Sequence, residues 1–276
     1  MASVRITIIG LGLIGGSLGM ALKLADPSIV INGYSRRAST VRKAVRLGVI
    51  DYGSGSIAAS VRESDIVFIC TPVRTIKDIF ISIAPILKRN CTVTDVASTK
   101  VGVMEWAEKY LPGHVNFIGG HPMAGKENAG IEAAEAGLFR NCTWCLVPSS
   151  KASKYSLGRL SRIVRSVGAK PYIIDPARHD LLVAGISHLP LVLSTALVST
   201  TTGSELWGEM ARLASSGYRD VTRLASGDSR IYTDICLTNR QPIVKWIDDF
   251  TRELLRFRDR IDGGDESIEE AFRAAK

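Results

Sequence analysis

One histidine in this chain stands where proton transfer would be natural. The segment Gly119-Gly120-His121-Pro122-Met123-Ala124-Gly125 follows the apolar run Val115-Asn116-Phe117-Ile118. Imidazole is the one common side chain whose unperturbed ionisation lies near neutrality, so it can take or give a proton under ordinary conditions. Glycines on both sides would let the backbone, and therefore a ligand, come close to the ring. Two readings fit the heptapeptide: a structural histidine in a tight turn, or a proton acceptor at a site. The flanking chain decides between them.

That flanking chain begins with a nucleotide fingerprint. Val4 to Ile9 is a short β-branched run, expected to be a first parallel strand. It leads into Gly10-Leu11-Gly12-Leu13-Ile14-Gly15-Gly16-Ser17 and then a helical stretch to about Leu24. Strand, glycine turn and helix in that order are the context in which G-x-G-x-x-G becomes specific. Gly10 would permit the turn, Gly12 would let a pyrophosphate approach, and Gly15 would allow helix to pack on strand. Leu13 and Ile14 open the helix whose positive end would face the phosphates.

A second strand, Ile29 to Tyr34, ends at Ser35-Arg36-Arg37, where an NAD enzyme usually keeps an acid for the ribose hydroxyls. A carboxylate there would repel a 2′-phosphate, whereas a hydroxyl and two guanidiniums can bind one. The expected cofactor is therefore NADP, with a solvated basic turn as the plainer alternative.

Strand-like and helical runs then alternate. Strands are expected at 66–70, 92–96 and 115–118, and helices at 76–87 and 99–110. Such repetition gives a doubly wound sheet whose ligands bind past the carboxyl ends of the strands. Thr71, with Pro72 after it, Ser98 and His121 are each placed just past such an end. A strand near 144–148, a helix near 153–166 and a strand at 171–174 extend the sheet. After Asp175-Pro176 the pattern turns helical. The expected fold is α/β: a Rossmann-like, mostly parallel sheet over 1–175, followed by an all-α dimerisation domain over 176–276. In the final helix Ile243, Ile247, Phe250, Leu254, Phe257 and Ile261 recur four and three apart, a narrow stripe suited to core or subunit interface. The charged stretch from Gly263-Gly264 onward is expected to fray.

Composition narrows the class. The 276 residues are 46% hydrophobic and 22% charged, as in an ordinary soluble globular protein. The net charge of +8 is dispersed, and no zinc-finger or ribonucleoprotein pattern accompanies it, so an anionic small molecule is a better partner than nucleic acid. The five cysteines have no framework spacing and read as buried thiols of a reducing, cytoplasmic compartment. Cys142-Thr143-Trp144-Cys145 is half a metal site at most, and no metal is expected. The run Leu181 to Val198 has the length of a membrane span, but His188 and Pro190 interrupt it, and a helix at a domain or subunit interface is expected instead.

Taken together these motifs resemble the prephenate and arogenate dehydrogenases of tyrosine biosynthesis. The resemblance rests on GLGLIGGS, Thr71-Pro72, Asp95-Val96-Ala97-Ser98-Thr99-Lys100, GGHPMAG, His179-Asp180, Ser187-His188-Leu189-Pro190 and the run from Gly217 to Arg223. It implies that His121 is the catalytic group and that Ser98 bonds to it and to substrate. It implies that Arg223 binds a substrate carboxylate, with Gly217, Glu127, His188 and Tyr232 as further substrate-side candidates. Many prephenate-using members carry a second histidine three residues after the first in the SHxPH segment, where this chain has Leu191. With Ser35-Arg36-Arg37, this is similar to the NADP-dependent, arogenate-preferring branch. Separately, the long apolar helix from about Pro176 and the striped final helix present more apolar surface than one small helical domain can bury, which predicts a homodimer through the helical halves. Two other readings share the nucleotide domain. A β-hydroxyacid dehydrogenase would use a lysine on a helix of the second half, and a non-catalytic NADP-binding dimeric regulator would use none of His121, Ser98 and Arg223.

Overall fold

The computed structural model describes residues 4–126 and 128–276. They fold as two compact units: the described residues up to 180 with 226–238, and residues 181–225 with 239–276.

In the first unit β1 (Arg5–Ile9) feeds α1 (Leu13–Ala25), and β2 (Val30–Tyr34), α2 (Ala38–Arg46), β3 (Tyr52–Ser54) and α3 (Ile57–Val61) follow. Then come β4 (Ile66–Ile69), α4 (Ile76–Ile83), β5 (Thr92–Asp95), α5 (Val101–Tyr110) and β6 (Asn116–Pro122). The last sheet elements are β7 (Thr143–Pro148), α6 (Lys154–Ser166) and β8 (Lys170–Ile173). The eight strands lie in the order β3-β2-β1-β4-β5-β6-β7-β8, every pair parallel except β6 with β7.

Both faces of the sheet are covered, which is why β1 and β4 are apolar almost throughout. Ile6, Ile8, Phe68 and Ile118 pack on one side with α1 and α6 residues such as Leu18, Leu22 and Leu160. Ile9, Val67, Ile69, Val93 and Phe117 face Phe80 of α4 and Val103 of α5 on the other. Phe80 meets Phe117 edge-on, with ring centroids 5.3 Å apart.

The five cysteines are free thiols, and burial raises each. The Cys91 thiol is pushed up to about 12, mainly by desolvation, so it stays protonated and inert. Among the described residues no group of three or more His, Cys, Asp or Glu is placed to hold a metal ion.

The stretch between β2 and β4, for which the sequence set no expectation, holds α2, β3 and α3. Two sequence expectations are corrected here. The strand expected to stop at Ile118 runs on through His121 to Pro122, so the GGHP segment is strand and not turn. Gly120 lies where its Cβ would stand 2.4 Å from the Asp95 carbonyl oxygen and 3.0 Å from Thr94 Oγ1. The glycine is there because the β5 backbone comes that close, not because the chain must bend.

The second correction is at the C-terminus, where the charged tail forms α13 (Ile268–Ala275). Ile268 and Phe272 are one turn apart, and Phe272 lies 5.7 Å, centroid to centroid, from Phe257 on the preceding helix.

The second unit is helical. The helix α7 (Pro176–Val183) starts in the first unit and passes through a π turn, Ala184–His188, into α8 (Leu189–Thr202). The π turn is a local widening of the ladder, and a side chain enters it: Trp246 Nε1 donates to the Leu181 carbonyl at 3.0 Å. Gly185 makes room for the indole, since a Cβ there would stand 2.7 Å from the ring. The segment 176–202 is long and apolar enough to cross a membrane by length and composition alone, and 33% of its most apolar window is buried.

The remaining helices are α9 (Trp207–Leu213), α10 (Ser216–Thr222), α11 (Ser229–Thr238) and α12 (Arg240–Asp262). Of these α11 belongs to the first unit, tied there by Thr238 Oγ1 to Thr99 Oγ1 at 2.9 Å. The apolar stripe of α12 is covered in part: Ile243 is buried and Phe257 half-buried, whereas Leu254 and Ile261 are exposed.

Candidate active site

The glycine turn between β1 and α1 has the form a dinucleotide needs. Gly10 has φ +97°, a conformation that a Cβ would strain, and that Cβ would stand 2.5 Å from the Cys70 carbonyl. At Gly15 a Cβ would stand 1.9 Å from the Gly10 carbonyl oxygen, so helix and turn can touch only if residue 15 lacks a side chain. Gly12, at the N-cap of α1, is different: a Cβ there meets nothing within 4 Å. The space beside it is the gap through which a phosphate would reach the first backbone N–H groups of α1, at Leu13 and Ile14.

The ends of β2 and β4 lie beside this turn. Gly10 N–H donates to the Tyr34 carbonyl at 2.9 Å, which brings the end of β2 beside the turn. Ser35 is half-buried just past it, and Arg36 and Arg37 are exposed. Thr71 follows β4, its hydroxyl 2.8 Å from Thr75 Oγ1, and Pro72 opens the short helical turn Val73–Thr75. The residues present fit a nicotinamide dinucleotide at this edge of the sheet.

His121 lies farther along the same edge. The pairing of β5 with β6 sets Thr92 beside Asn116 and Val93 beside Phe117, and β5 ends at Asp95. Two residues per strand later, β6 has outrun its parallel neighbour and continues against β7 alone, with His121 opposite Cys145. The imidazole therefore stands beyond the ends of the parallel strands, where doubly wound sheets bind ligands.

Its peptide is clamped by a buried ion pair. Asp95 and Lys100 are both fully buried. Lys100 Nζ donates to Asp95 Oδ2 and, at 2.8 Å, to the Gly120 carbonyl. Asp95 Oδ1 accepts from Gly120 N–H at 3.1 Å, and Oδ2 accepts from Ala97 N–H at 2.9 Å. The pair therefore holds both polar groups of the residue before His121. Two buried charges are tolerable only when paired and hydrogen-bonded in this way.

The ring itself is held by residues 58 and 59 positions away. His121 Nδ1 lies 2.9 Å from His179 Nε2, and His179 Nδ1 lies 2.8 Å from Asp180 Oδ1. Asp180 in turn accepts from the N–H groups of Lys100 at 2.7 Å and Val101 at 2.9 Å, capping the start of α5. All three side chains are buried, with His121 retaining 7% exposure. The His179-Asp180 dipeptide stands out in the sequence as a motif, but nothing in it indicates that His179 meets His121. Ser98 is half-buried in the turn between β5 and α5.

The substrate-side candidates divide between the units. Tyr232 is half-buried on α11 in the first unit, over Gly227, where any Cβ would overlap the phenol. Arg223 and Gly217 are exposed at the end and in the first turn of α10 in the second unit. His188 closes the π turn of that unit, fully buried, with Nδ1 3.1 Å from Asn239 Nδ2. Glu127 lies outside the described residues.

Comparison with known proteins decides the family. A model described as the nucleotide-binding domain of prephenate dehydrogenase matches residues 18–173, and its dimerization domain matches 175–274. The chain belongs to the prephenate dehydrogenase family. A prephenate dehydrogenase of Bacillus subtilis strain 168 is 35% identical over 274 residues, which is 98% of this chain and 74% of that one. The family fold is shared by Synechocystis arogenate dehydrogenase, with TM-score 0.84, 32% identity and coverage of 99% and 97% of the two chains. Prephenate dehydrogenase from A. aeolicus in complex with hydroxyphenyl propionate and NAD+ has TM-score 0.92, 30% identity and coverage of 100% and 96%.

The Asp95–Lys100 clamp yields a direct test. Asp95→Asn keeps an acceptor for Gly120 N–H but leaves a buried ammonium without its counter-charge. Stability should fall by roughly 3–5 kcal/mol, read as a lower urea midpoint. A loss below about 1 kcal/mol would mean that the pair is not what secures this strand.

Proposed function

We propose that this protein oxidatively decarboxylates arogenate, and prephenate less well, passing hydride to NADP. Arogenate would give tyrosine, and prephenate would give 4-hydroxyphenylpyruvate. The observation that carries the reading is His121: a buried imidazole, fixed through Nδ1, at the ligand-binding edge of a nucleotide-binding sheet in a prephenate dehydrogenase family member.

The substrate is a cyclohexadienyl ring with a hydroxyl on one carbon and a carboxylate on the carbon opposite. His121 Nε2 accepts the hydroxyl proton as that carbon gives up hydride. The nicotinamide, when bound, supplies the hydride acceptor. The resulting dienone loses carbon dioxide from the opposite carbon, and the electron pair of the broken bond completes the aromatic ring. With Nδ1 held by His179, Ser98 would meet the ring at Nε2, beside the substrate hydroxyl it also bonds, and Arg223 binds a carboxylate. Gly217, His188, Tyr232 and Glu127 join the substrate side.

NADP is favoured over NAD because Ser35, Arg36 and Arg37 follow β2 with no carboxylate among them. Arogenate is favoured because Leu191, buried on α8, brings no hydrogen-bonding group where many prephenate users have histidine. The functional unit is a homodimer through the helical half. Ile186, Leu206, Leu213, Leu254 and Ile261 leave more apolar surface in that unit than one chain covers.

Purified enzyme assayed by nicotinamide absorbance with both substrates and both cofactors tests the activity. NADP with arogenate should give the highest kcat/KM, with NADP ahead of NAD by about tenfold or more, about 1.4 kcal/mol. Arg36→Ala should erode that preference by weakening NADP alone, and equal losses with both cofactors would sink the assignment. His121→Asn keeps a polar group of similar reach but removes the base. Its kcat should fall by roughly a hundredfold to ten-thousandfold with little change in KM, whereas Arg223→Ala should act mainly on substrate KM. Turnover left intact in His121→Asn would return His121 to a structural role. Sedimentation at micromolar concentration should show a dimer, and a well-behaved monomer would refute the assembly.

A further inference from the structure

The chain Asp180–His179–His121 has a direction, and that direction fixes a proton. The two oxygens of Asp180 are already acceptors, taking the Lys100 and Val101 N–H groups at 2.7 and 2.9 Å. The 2.8 Å bond to His179 Nδ1 therefore runs from ring N–H to carboxylate. A neutral imidazole carries one proton, so His179 Nε2 presents a lone pair. Across the 2.9 Å contact, His121 Nδ1 must then be the donor. Its other nitrogen, Nε2, is left without a proton and able to accept one.

We infer that His179 and Asp180 are positioning residues for the proton acceptor, which set His121 in its Nδ1–H tautomer and face its cation once formed. The inference rests on the reading of His121 as the base. Free neutral imidazole places its proton mainly on Nε2, the nitrogen that must be bare for the substrate hydroxyl. Without a partner on Nδ1, much of the enzyme would hold the wrong tautomer at any moment.

The arrangement also handles charge. When Nε2 takes the proton, the cation's Nδ1–H still points at His179, and the Asp180 carboxylate lies one ring farther on. A buried imidazolium needs such a counter-charge, and in a site this dry a fixed carboxylate interacts with it strongly. The two rings meet edge-on, centroids 5.1 Å apart and planes at 67°, so His121 cannot rotate without losing its partner. Positioning and charge balance thus come from one connected set, anchored at the start of α5.

The test reads the tautomer directly. The chain has four histidines, few enough to assign by substitution in a spectrum of 15N-histidine-labelled protein. At alkaline pH the two-bond 1H–15N couplings of wild-type enzyme should show His121 and His179 both protonated on Nδ1. In His179→Leu, His121 should move to the Nε2–H form. There kcat should fall by about tenfold or more, with KM for substrate and cofactor kept within about twofold.

His179→Gln offers an amide oxygen that can accept from His121 Nδ1–H. It should keep the Nδ1–H signature and recover most of the rate. An Nε2–H tautomer for His121 in the wild-type spectrum would overturn the inference, and so would full turnover in His179→Leu. If His179→Leu fails to fold, the wild-type spectrum and the Gln variant decide alone. The spectrum needs neither substrate nor turnover. A wild-type protein with the expected tautomers that oxidises neither arogenate nor prephenate would overturn the proposed activity while upholding the positioning role.

Discussion

The site depends first on the ion pair between Asp95 and Lys100. Both side chains are fully buried, and both hydrogen-bond the peptide of Gly120, with Asp95 also accepting from Ala97 N–H. A buried ion pair is a poor source of stability compared with well-packed apolar residues, because taking two charges out of water costs about as much as their attraction returns. Here it supplies geometry. Beyond the end of β5 the strand that bears His121 has lost its parallel neighbour, and the clamp replaces that neighbour at the residue before the imidazole. Lys100 is also the N-cap of α5, whose first N–H groups go to Asp180. One short turn therefore fixes both the backbone of His121 and the carboxylate that orients its ring.

Much of this was legible in the residues. The glycine turn was, because Gly10 is needed for its own left-handed backbone and Gly15 for its contact with Gly10 five residues before it. So was the alternation of strand and helix, since a sheet buried on both faces needs nearly continuous apolar runs. The basic turn at Ser35-Arg36-Arg37 was legible by position, falling where the second strand of such a fold must end. His121 stood out by composition, although the glycines before it suggested a bend. They instead answer to the close approach of the β5 backbone, a long-range fact that sequence spacing does not record.

The hidden parts share a cause. His179 reaches His121 across 58 residues, and its neighbour Asp180 reaches α5 across 80. No local period marks either contact, and the dipeptide lies just before the apolar run that begins at Leu181. The tail after Gly264 was misread for a related reason. Eight residues are too few to reveal amphipathicity, yet Phe272 needs only Phe257 to give α13 a place to pack. Local chemistry was readable, and tertiary partners were not.

The path of the chain between its two units bears on how such a protein can be divided. The first unit is not a single length of sequence, because α11 returns to it from the middle of the helical half. The backbone therefore passes from one unit to the other three times, near residues 180, 225 and 238. A nucleotide-binding fragment ending at the first crossing would lack a helix that this unit packs against its own Thr99. The matching helical fragment would carry that helix without the surface it covers. Recombination at a single junction, which shuffles many two-domain enzymes, would break this protein in both halves, so the two units are bound to be inherited together.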